Sequence, residues 1–324
     1  MPNKKATAVA HPNIAFIKYW GNTNHELRLP TNGSISMNLA GLETRTTVVF
    51  DSNIDSDQLS INRKKATPAA LQRVTTFLDN VRDLARINGY AQVTSQNNFP
   101  TGAGIASSAS AFAALALAAS AAAGLRLNEA DLSRLARLGS GSASRSVPGG
   151  FVEWHAGESH KSSYAESIAS ADHWDLIDCV AVVSMDHKST ISSEGHKLAS
   201  TSPLQNARVK DAGRRLDICR EALLQKNFHT FADIVELDSN LMHAVMMTSN
   251  PTLLYWHPAT LAVMQAVQAW RTEGLDVCYT IDAGPNVHVL CLGAALEKVE
   301  EQLRQIPGVL NVIVAHPGGP AQLD

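Results

Sequence analysis

The chain has 324 residues, 45% of them hydrophobic and 18% charged, which is globular composition with ample core material for one large domain or two joined ones. Its net charge of -3 argues against nucleic acid as a partner, since such proteins carry a basic excess. Four cysteines without CxxC spacing exclude a visible zinc or redox motif, and the three in apolar contexts read as buried thiols of a reducing compartment.

Residues 1–7 are polar and lack the apolar run of a signal peptide, so a cytoplasmic location is expected. Residues 8–18 read as a strand followed by an irregular turn, and 33–51 as two antiparallel strands broken at Gly41. Leu71, Val74, Phe77, Leu78, Val81 and Leu84 recur at helical spacing, which predicts an amphipathic helix over 68–87. A short strand at 91–95 precedes the turn-rich QNNFPTGAGIA, which feeds an Ala-rich helix from Ser108. The run 107–125 has nearly the length of a membrane span, but Ala and Ser are only weakly apolar, so a tightly packed internal helix is expected and no membrane partner. Asn128 or Asp131 caps a helix ending near Gly139. The loop SGSASRSVPGG, a strand at FVEW and a buried strand over 176–185 follow. HKSTISSEGHK breaks the pattern and marks a domain junction, dividing 1–186 from 187–324. Helices at 204–225, 227–246 and 258–273 lead to DVCYTIDAGPNVHVLCL, a strand, Gly-Pro turn and strand. A helix at 294–305 and a strand at NVIVAHP close the chain. Hairpins mixed with helices make the fold class α+β.

Three loops carry chemistry. In FPTGAGIASSAS, Gly102 and Gly104 permit close backbone approach, Ser107 and Ser108 offer hydroxyls, and the helix beyond supplies free N–H groups and a positive dipole end. These are the needs of an anionic phosphate, although the Walker and dinucleotide patterns are absent and a plain glycine turn reads equally well. Ser140-Gly141-Ser142-Ala143-Ser144-Arg145 is a second small-residue loop, ending in a guanidinium that can clamp a carboxylate or phosphate. Its alternative is a surface arginine. Asp282, between two apolar strands beside a tight turn, is placed to act as a base or hold a metal, or is an ordinary turn residue. The twelve histidines show no metal spacing, so His243 and His288 read as core residues, and Met246 and Met247 as core filling.

In this order the loops resemble the GHMP kinase superfamily, through FPTGAGIASSASAFAAL and TIDAGPNVHVL. HPNIAFIKYWG at 11–21 narrows the resemblance to the mevalonate diphosphate decarboxylases. So do SGSASR at 140–145 with GGFVEW at 149–154, SSEG at 192–195, and DSN at 238–240 with MHA at 242–244. The similarity runs from about residue 8 to about residue 318. It implies an N-terminal domain like the second domain of ribosomal protein S5 and a ferredoxin-like C-terminal domain. It also implies a homodimer that uses ATP and Mg²⁺ to turn a 5-phosphorylated mevalonate into an isopentenyl compound, CO₂, ADP and phosphate.

The resemblance assigns roles. Asp282 orients the tertiary 3-hydroxyl and accepts its proton, Lys18 stabilises developing negative charge, and Arg145 holds the substrate carboxylate with support from Asn13. Ser140, Gly141, Ser142, Ser192, Ser193 and Asn22 belong to the substrate side. Tyr19 and Trp20 wall the pocket or are simple core aromatics. Asn97, Gly102, Ala103, Gly104, Ser107 and Ser108 belong to the nucleotide side. Mg²⁺ arrives with ATP, and no protein metal cage is expected.

Two positions depart from the family. Diphosphate-using members carry a lysine where Asn22 stands, and bacterial members often an arginine where Ser193 stands. Both positions belong to the diphosphate end of the substrate, and fewer cations there favour the phosphomevalonate decarboxylases, which use the 5-monophosphate. Lys188, His196, Lys197 and Arg73 are the side chains that could supply the missing charge. The alternatives are a diphosphomevalonate decarboxylase, or a GHMP kinase that phosphorylates mevalonate without decarboxylation.

Overall fold

The computed structural model describes residues 4–99, 107–186 and 192–324. Strands β1 (Lys4–Ala10) and β2 (Asn13–Ile17) lead into a small hairpin, β3 (Asn22–Asn24) and β4 (Leu29–Pro30). Then come β5 (Ser34–Ala40), β6 (Thr44–Asp51), β7 (Gln58–Ile61), β8 (Lys64–Lys65), α1 (Pro68–Ala85) and β9 (Tyr90–Asn97). Helices α2 (Ser107–Ala122) and α3 (Glu129–Gly139) precede a 3₁₀ turn, Gly141–Ser146, and strands β10 (Phe151–Trp154), β11 (Ala165–Ala169) and β12 (Leu176–Val182). The remainder is α4 (Ser192–Leu198), α5 (Gln205–Lys210), α6 (Ala212–Leu224), α7 (Phe228–Met247), α8 (Pro258–Thr272), β13 (Val277–Thr280), β14 (Val287–Leu292), α9 (Leu296–Gln305), β15 (Asn311–Pro317) and β16 (Gln322–Leu323).

Two sheets organise these elements. One runs β16-β1-β6-β9-β7-β8, antiparallel except where β7 lies parallel to β9. The other runs β11-β10-β5-β15-β12-β14-β13, with β2 also paired to β5. The 33–51 stretch does form two antiparallel strands, but they part company at Gly41, whose φ of +84 suits a residue without a Cβ. Thus β6 enters the first sheet and β5 the second.

The six-stranded sheet buries one core against α1, α2 and α3. Helix α1 starts where Thr67 accepts a hydrogen bond from the Ala70 amide, with Pro68 at the first turn. It buries Phe77, Leu78 and Val81, while Leu84 at its end is 56% exposed. Helix α2 is buried nearly all round, because alanine lets its backbone press against β1 and β6. Among the described residues no helix is long and apolar enough to cross a membrane. Asn128, rather than Asp131, caps α3, accepting from the Asp131 amide.

The second sheet has a core on each face, divided by the period of a strand. Along β12, Leu176, Val180 and Val182 face α6 and α7, whereas Ile177, Cys179 and Ala181 face α8 and α9. All four cysteines are free and buried. The helix predicted over 204–225 is two, α5 and α6, broken at Asp211. There Arg215 reaches back to take the Arg208 carbonyl and the Asp211 carboxylate. The expected junction contains α4, which the sequence reading missed.

Candidate active site

The site begins where β2 runs out. The Lys18 amide donates to Asp238 Oδ2 at 2.6 Å, and its carbonyl accepts from Arg208 Nη2 at 2.7 Å and Asn32 Nδ2 at 3.0 Å. Asp238 is fully buried in α7 and takes Arg215 Nε at 2.7 Å on its other oxygen. The backbone of Lys18 is thereby fixed from three sides. Its ammonium lies 2.7 Å from Asp282 Oδ1, with Lys18 1% exposed and Asp282 26%. Burial pulls the Lys18 pKa down, Asp282 and then Asp238 push it back up, and Arg145 lowers it.

Asp282 lies in the turn between β13 and β14. Ser239 Oγ accepts the Ile281 amide at 3.0 Å, and His243 Nε2 lies 3.3 Å from the Ile281 carbonyl, which can only accept. Burial, and then the Lys18 charge, hold His243 down at about 4, so it serves as a neutral donor. Asn286 closes the turn: its Oδ1 accepts the Val183 and Ser184 amides at 2.8 and 3.0 Å. His288 is paired with buried Asp178 at 2.6 Å and belongs to the core, as the sequence reading held.

Arg145 ends the 3₁₀ turn and is 3% exposed, which rules out the surface-arginine reading. Its Nη1 donates to Ser34 Oγ at 2.6 Å and its Nη2 to Asn13 Oδ1 at 3.2 Å. Asn13 in turn donates to the Ser142 carbonyl and Ser146 Oγ at 3.1 and 2.8 Å. The guanidinium lies 5.8 Å from the Trp154 ring centroid. Burial brings its pKa to about 10, so it stays charged at neutral pH, and Asp282 is the strongest influence in the opposite sense. Lys18, Arg145 and Asp282, far apart in sequence, thus share one electrostatic neighbourhood.

Beside them, Tyr19 Oη donates to Asn22 Oδ1 at 2.5 Å, and burial pushes the Tyr19 hydroxyl up to about 12. Gly141 has no room for a side chain, since a Cβ there would come 2.5 Å from the Tyr19 ring. Trp20 is 2% exposed and packs with Met242, Val245 and Met246, so it is part of the core. His196, in α4, is sandwiched with ring centroids 4.1 Å from Tyr19 and 4.6 Å from Trp20. It accepts the Gly21 amide at 3.0 Å, and burial holds it near 3, hence neutral.

The serines form a chain of hydroxyls, with Ser108 Oγ 3.2 Å from Ser140 Oγ and Ser140 Oγ 3.4 Å from Ser142 Oγ. A cavity of about 220 Å³ adjoins it, lined by Asn97, Ser107, Ser108, Arg73, Ile61 and Phe112. Gly102, Ala103 and Gly104 lie outside the described residues, and so do the side chains of Ser192 and Ser193, which open α4. The sequence reading assigned no part to Asp238, Ser239, Arg208 or Ser34. A signal existed for Asp238: in α7 it falls on the stripe of Phe231, Val235, Met242 and Val245, where an acid is out of place unless paired.

Two family models match this chain in succession. Residues 10–165 match the diphosphomevalonate decarboxylase-like N-terminal domain, and residues 179–313 the mevalonate 5-diphosphate decarboxylase C-terminal domain. The chain belongs to the diphosphomevalonate decarboxylase family. It is a decarboxylase of the mevalonate pathway. The diphosphomevalonate decarboxylase of Aspergillus fumigatus is 36% identical over 326 residues, covering 94% of this chain and 81% of that one. The phosphomevalonate decarboxylase of Haloferax volcanii is 34% identical over 320 residues, covering 98% and 97%. A solved structure described as MDDEF in complex with MVAPP, AMPPCP and magnesium superposes with a TM-score of 0.94 at 37% identity, covering 99% of both chains. These likenesses account for the α+β architecture and for both sets of motifs. In this decarboxylase Lys18 and Arg145 lie in the segment matched by the first model, and Asp282 in that matched by the second.

Proposed function

We propose that this decarboxylase acts on 5-phosphomevalonate, using ATP and Mg²⁺ to form isopentenyl phosphate, CO₂, ADP and phosphate through 3-phosphorylation. The observation that carries the choice of monophosphate is Asn22. A neutral amide, engaged by Tyr19 Oη, stands where a lysine would meet a second phosphate. Ser193 is likewise uncharged. At an effective dielectric near 20, a cation 4 Å from a phosphate charge is worth about 4 kcal/mol, so its loss weighs most on the more anionic ligand. The Haloferax relative supports this reading, while the name of the Aspergillus relative favours the diphosphate.

In this proposal the Asp282 carboxylate takes the proton of the 3-hydroxyl, and Lys18, 2.7 Å from its Oδ1, keeps it aimed. Arg145, its orientation set by Ser34 and Asn13, holds the substrate carboxylate until CO₂ leaves. Tyr19, Asn22, Ser140, Gly141, Ser142, Ser192 and Ser193 surround the 5-phosphate. Ser107, Ser108 and Asn97 hold the nucleotide, with Ile61 and Phe112 offering its base apolar surface. ATP supplies the phosphoryl group, and Mg²⁺, carried on its phosphates, neutralises their charge. The hydroxyl chain from Ser108 to Ser142 fits such a donor, since it joins the nucleotide cavity to the loop that holds Arg145.

The test offers the protein ATP and Mg²⁺ with mevalonate, its 5-phosphate or its 5-diphosphate, following ³¹P resonances and released CO₂. The expected outcome is turnover of the 5-phosphate with ADP, phosphate and CO₂ in equal amounts. Preference for the diphosphate would select the second reading, and ADP without CO₂ would mark a kinase.

A further inference from the structure

The cation missing at Asn22 can be sought among the basic side chains around the pocket. Arg145, oriented by Ser34 and Asn13, is assigned to the substrate carboxylate. Arg208 and Arg215 are buried around Asp238. Lys197 is exposed and paired with Glu194. His196 is neutral. Arg73 gives Nε and Nη2 to the Gly139 carbonyl and faces the nucleotide cavity. Lys188 lies outside the described residues. Arg28 remains.

Arg28 sits in the turn between β3 and β4, on the same hairpin as Asn22, with a left-handed φ of 48. It is half-buried, and its Nε donates to the Leu138 carbonyl at 2.9 Å, two residues before Ser140. That bond holds the guanidinium at the foot of the Ser140 to Ser142 loop, against which the Tyr19 ring packs. Its charge ranks first among those acting on both the Tyr19 hydroxyl and His196. Among the described residues Arg28 has no carboxylate partner, and its two terminal nitrogens make no hydrogen bond to protein. A pinned, partly desolvated guanidinium with its fork uncommitted, beside a cluster of hydroxyls, is built for the oxygens of a phosphate dianion.

We infer that Arg28 grips the 5-phosphate of the substrate, supplying the charge that Asn22 does not. The inference rests on the pocket as read above, and it deepens the choice of substrate, because one guanidinium suits one phosphate. Sequence inspection passes over Arg28 because it stands ten residues beyond Lys18, in a turn whose return toward the serine loop only the hairpin register creates.

The experiment measures steady-state constants of Arg28→Gln and Arg28→Lys with whichever phosphorylated mevalonate the parent enzyme prefers. A parent that prefers the diphosphate thus overturns the substrate reading while leaving the Arg28 comparison intact. For Arg28→Gln, KM for that substrate is expected to rise about 10- to 100-fold, with kcat within about threefold and KM for ATP unchanged. Adding Asn22→Lys to Arg28→Gln is expected to recover most of the loss. Arg28→Lys keeps the charge without the fork, and its KM is expected to rise about 3- to 10-fold; this variant carries the test should glutamine impair folding. A substrate KM unchanged within twofold in either variant overturns the proposal. So does a loss confined to kcat, or a KM rise that Asn22→Lys leaves in place.

Discussion

Lys18 is a buried cation whose ammonium touches one carboxylate while its peptide group is held by another. The first contact is exchangeable, because Asp282 remains 26% exposed and open to a substrate. The second is not, because Asp238 is wholly enclosed and already bonded to Arg215. This division suggests where function resides. Asp282→Asn keeps the shape of the side chain and removes the proton acceptor. It is expected to lower kcat about 10²- to 10⁴-fold, with substrate KM within about fivefold. A kcat within tenfold of the parent would remove Asp282 from its role. The histidines speak to stability instead. His196 is held near 3 and His243 near 4 by burial, against an ordinary value of 6.5. Below pH 6.5 the unfolded chain takes up protons that the folded one refuses, so stability present above that pH is lost as the medium is acidified. Urea midpoints are expected to fall between pH 6.5 and 4.5, with a slope approaching two protons. His196→Gln should remove about one of them, and an unchanged slope would count against a neutral His196.

At the scale of elements, long periodic segments were legible and short ones were not. The pattern of Phe77, Leu78 and Val81 gave α1, and the apolar runs on either side of Gly41 gave β5 and β6. Their assignment to different sheets was hidden, since no local pattern says which partner a strand will find. The β3–β4 hairpin and α4 were missed because two or three paired residues, or seven with a single apolar side chain, carry no periodicity. The loops around Arg145 and Asp282 were visible in composition, whereas the buried charges beneath them required α7 to be placed. Helix α2 shows why its alanines matter: Ala113, Ala114 and Ala116 are completely buried, and the helix lies directly on β1 and β6. Ala113→Leu adds three heavy atoms at a fully buried position of this core. It is expected to cost about 1–3 kcal/mol in urea unfolding, through overpacking rather than helix propensity, which favours neither residue strongly. A variant as stable as the parent would reveal slack between α2 and the sheet.

For the whole molecule, the site depends on both halves being one object. Lys18 and Arg145 come from the first half and Asp282 from the second, so a hydrogen bond of 2.7 Å between Lys18 and Asp282 requires their frames to be rigidly joined. The join is made by α6 and α7 packing on β2 and β5 and by the last residues of the chain. Strand β15 pairs with β12 over Asp178 to Val182 and, at His316 and Pro317, with β5. A few residues later β16 pairs with β1 in the other sheet, where Ala8 meets Leu323. Between them Asn38 donates to the Pro148 and Gly319 carbonyls at 2.6 and 3.3 Å, and the Ala321 amide donates to Val147. One segment therefore closes both sheets. Trp154 reports on the first half and Trp270 on the packing of α8 against the second sheet, so fluorescence and far-UV circular dichroism should unfold in a single coincident transition. Deleting residues 311–324 strips β12 and β5 of a neighbour and opens the core positions that Val312 and Ala315 fill. It is expected to abolish that transition outright rather than soften one half. Two separated transitions in the intact chain would show that the two halves are not one cooperative unit, and a folded half surviving the deletion that it does not depend on this segment.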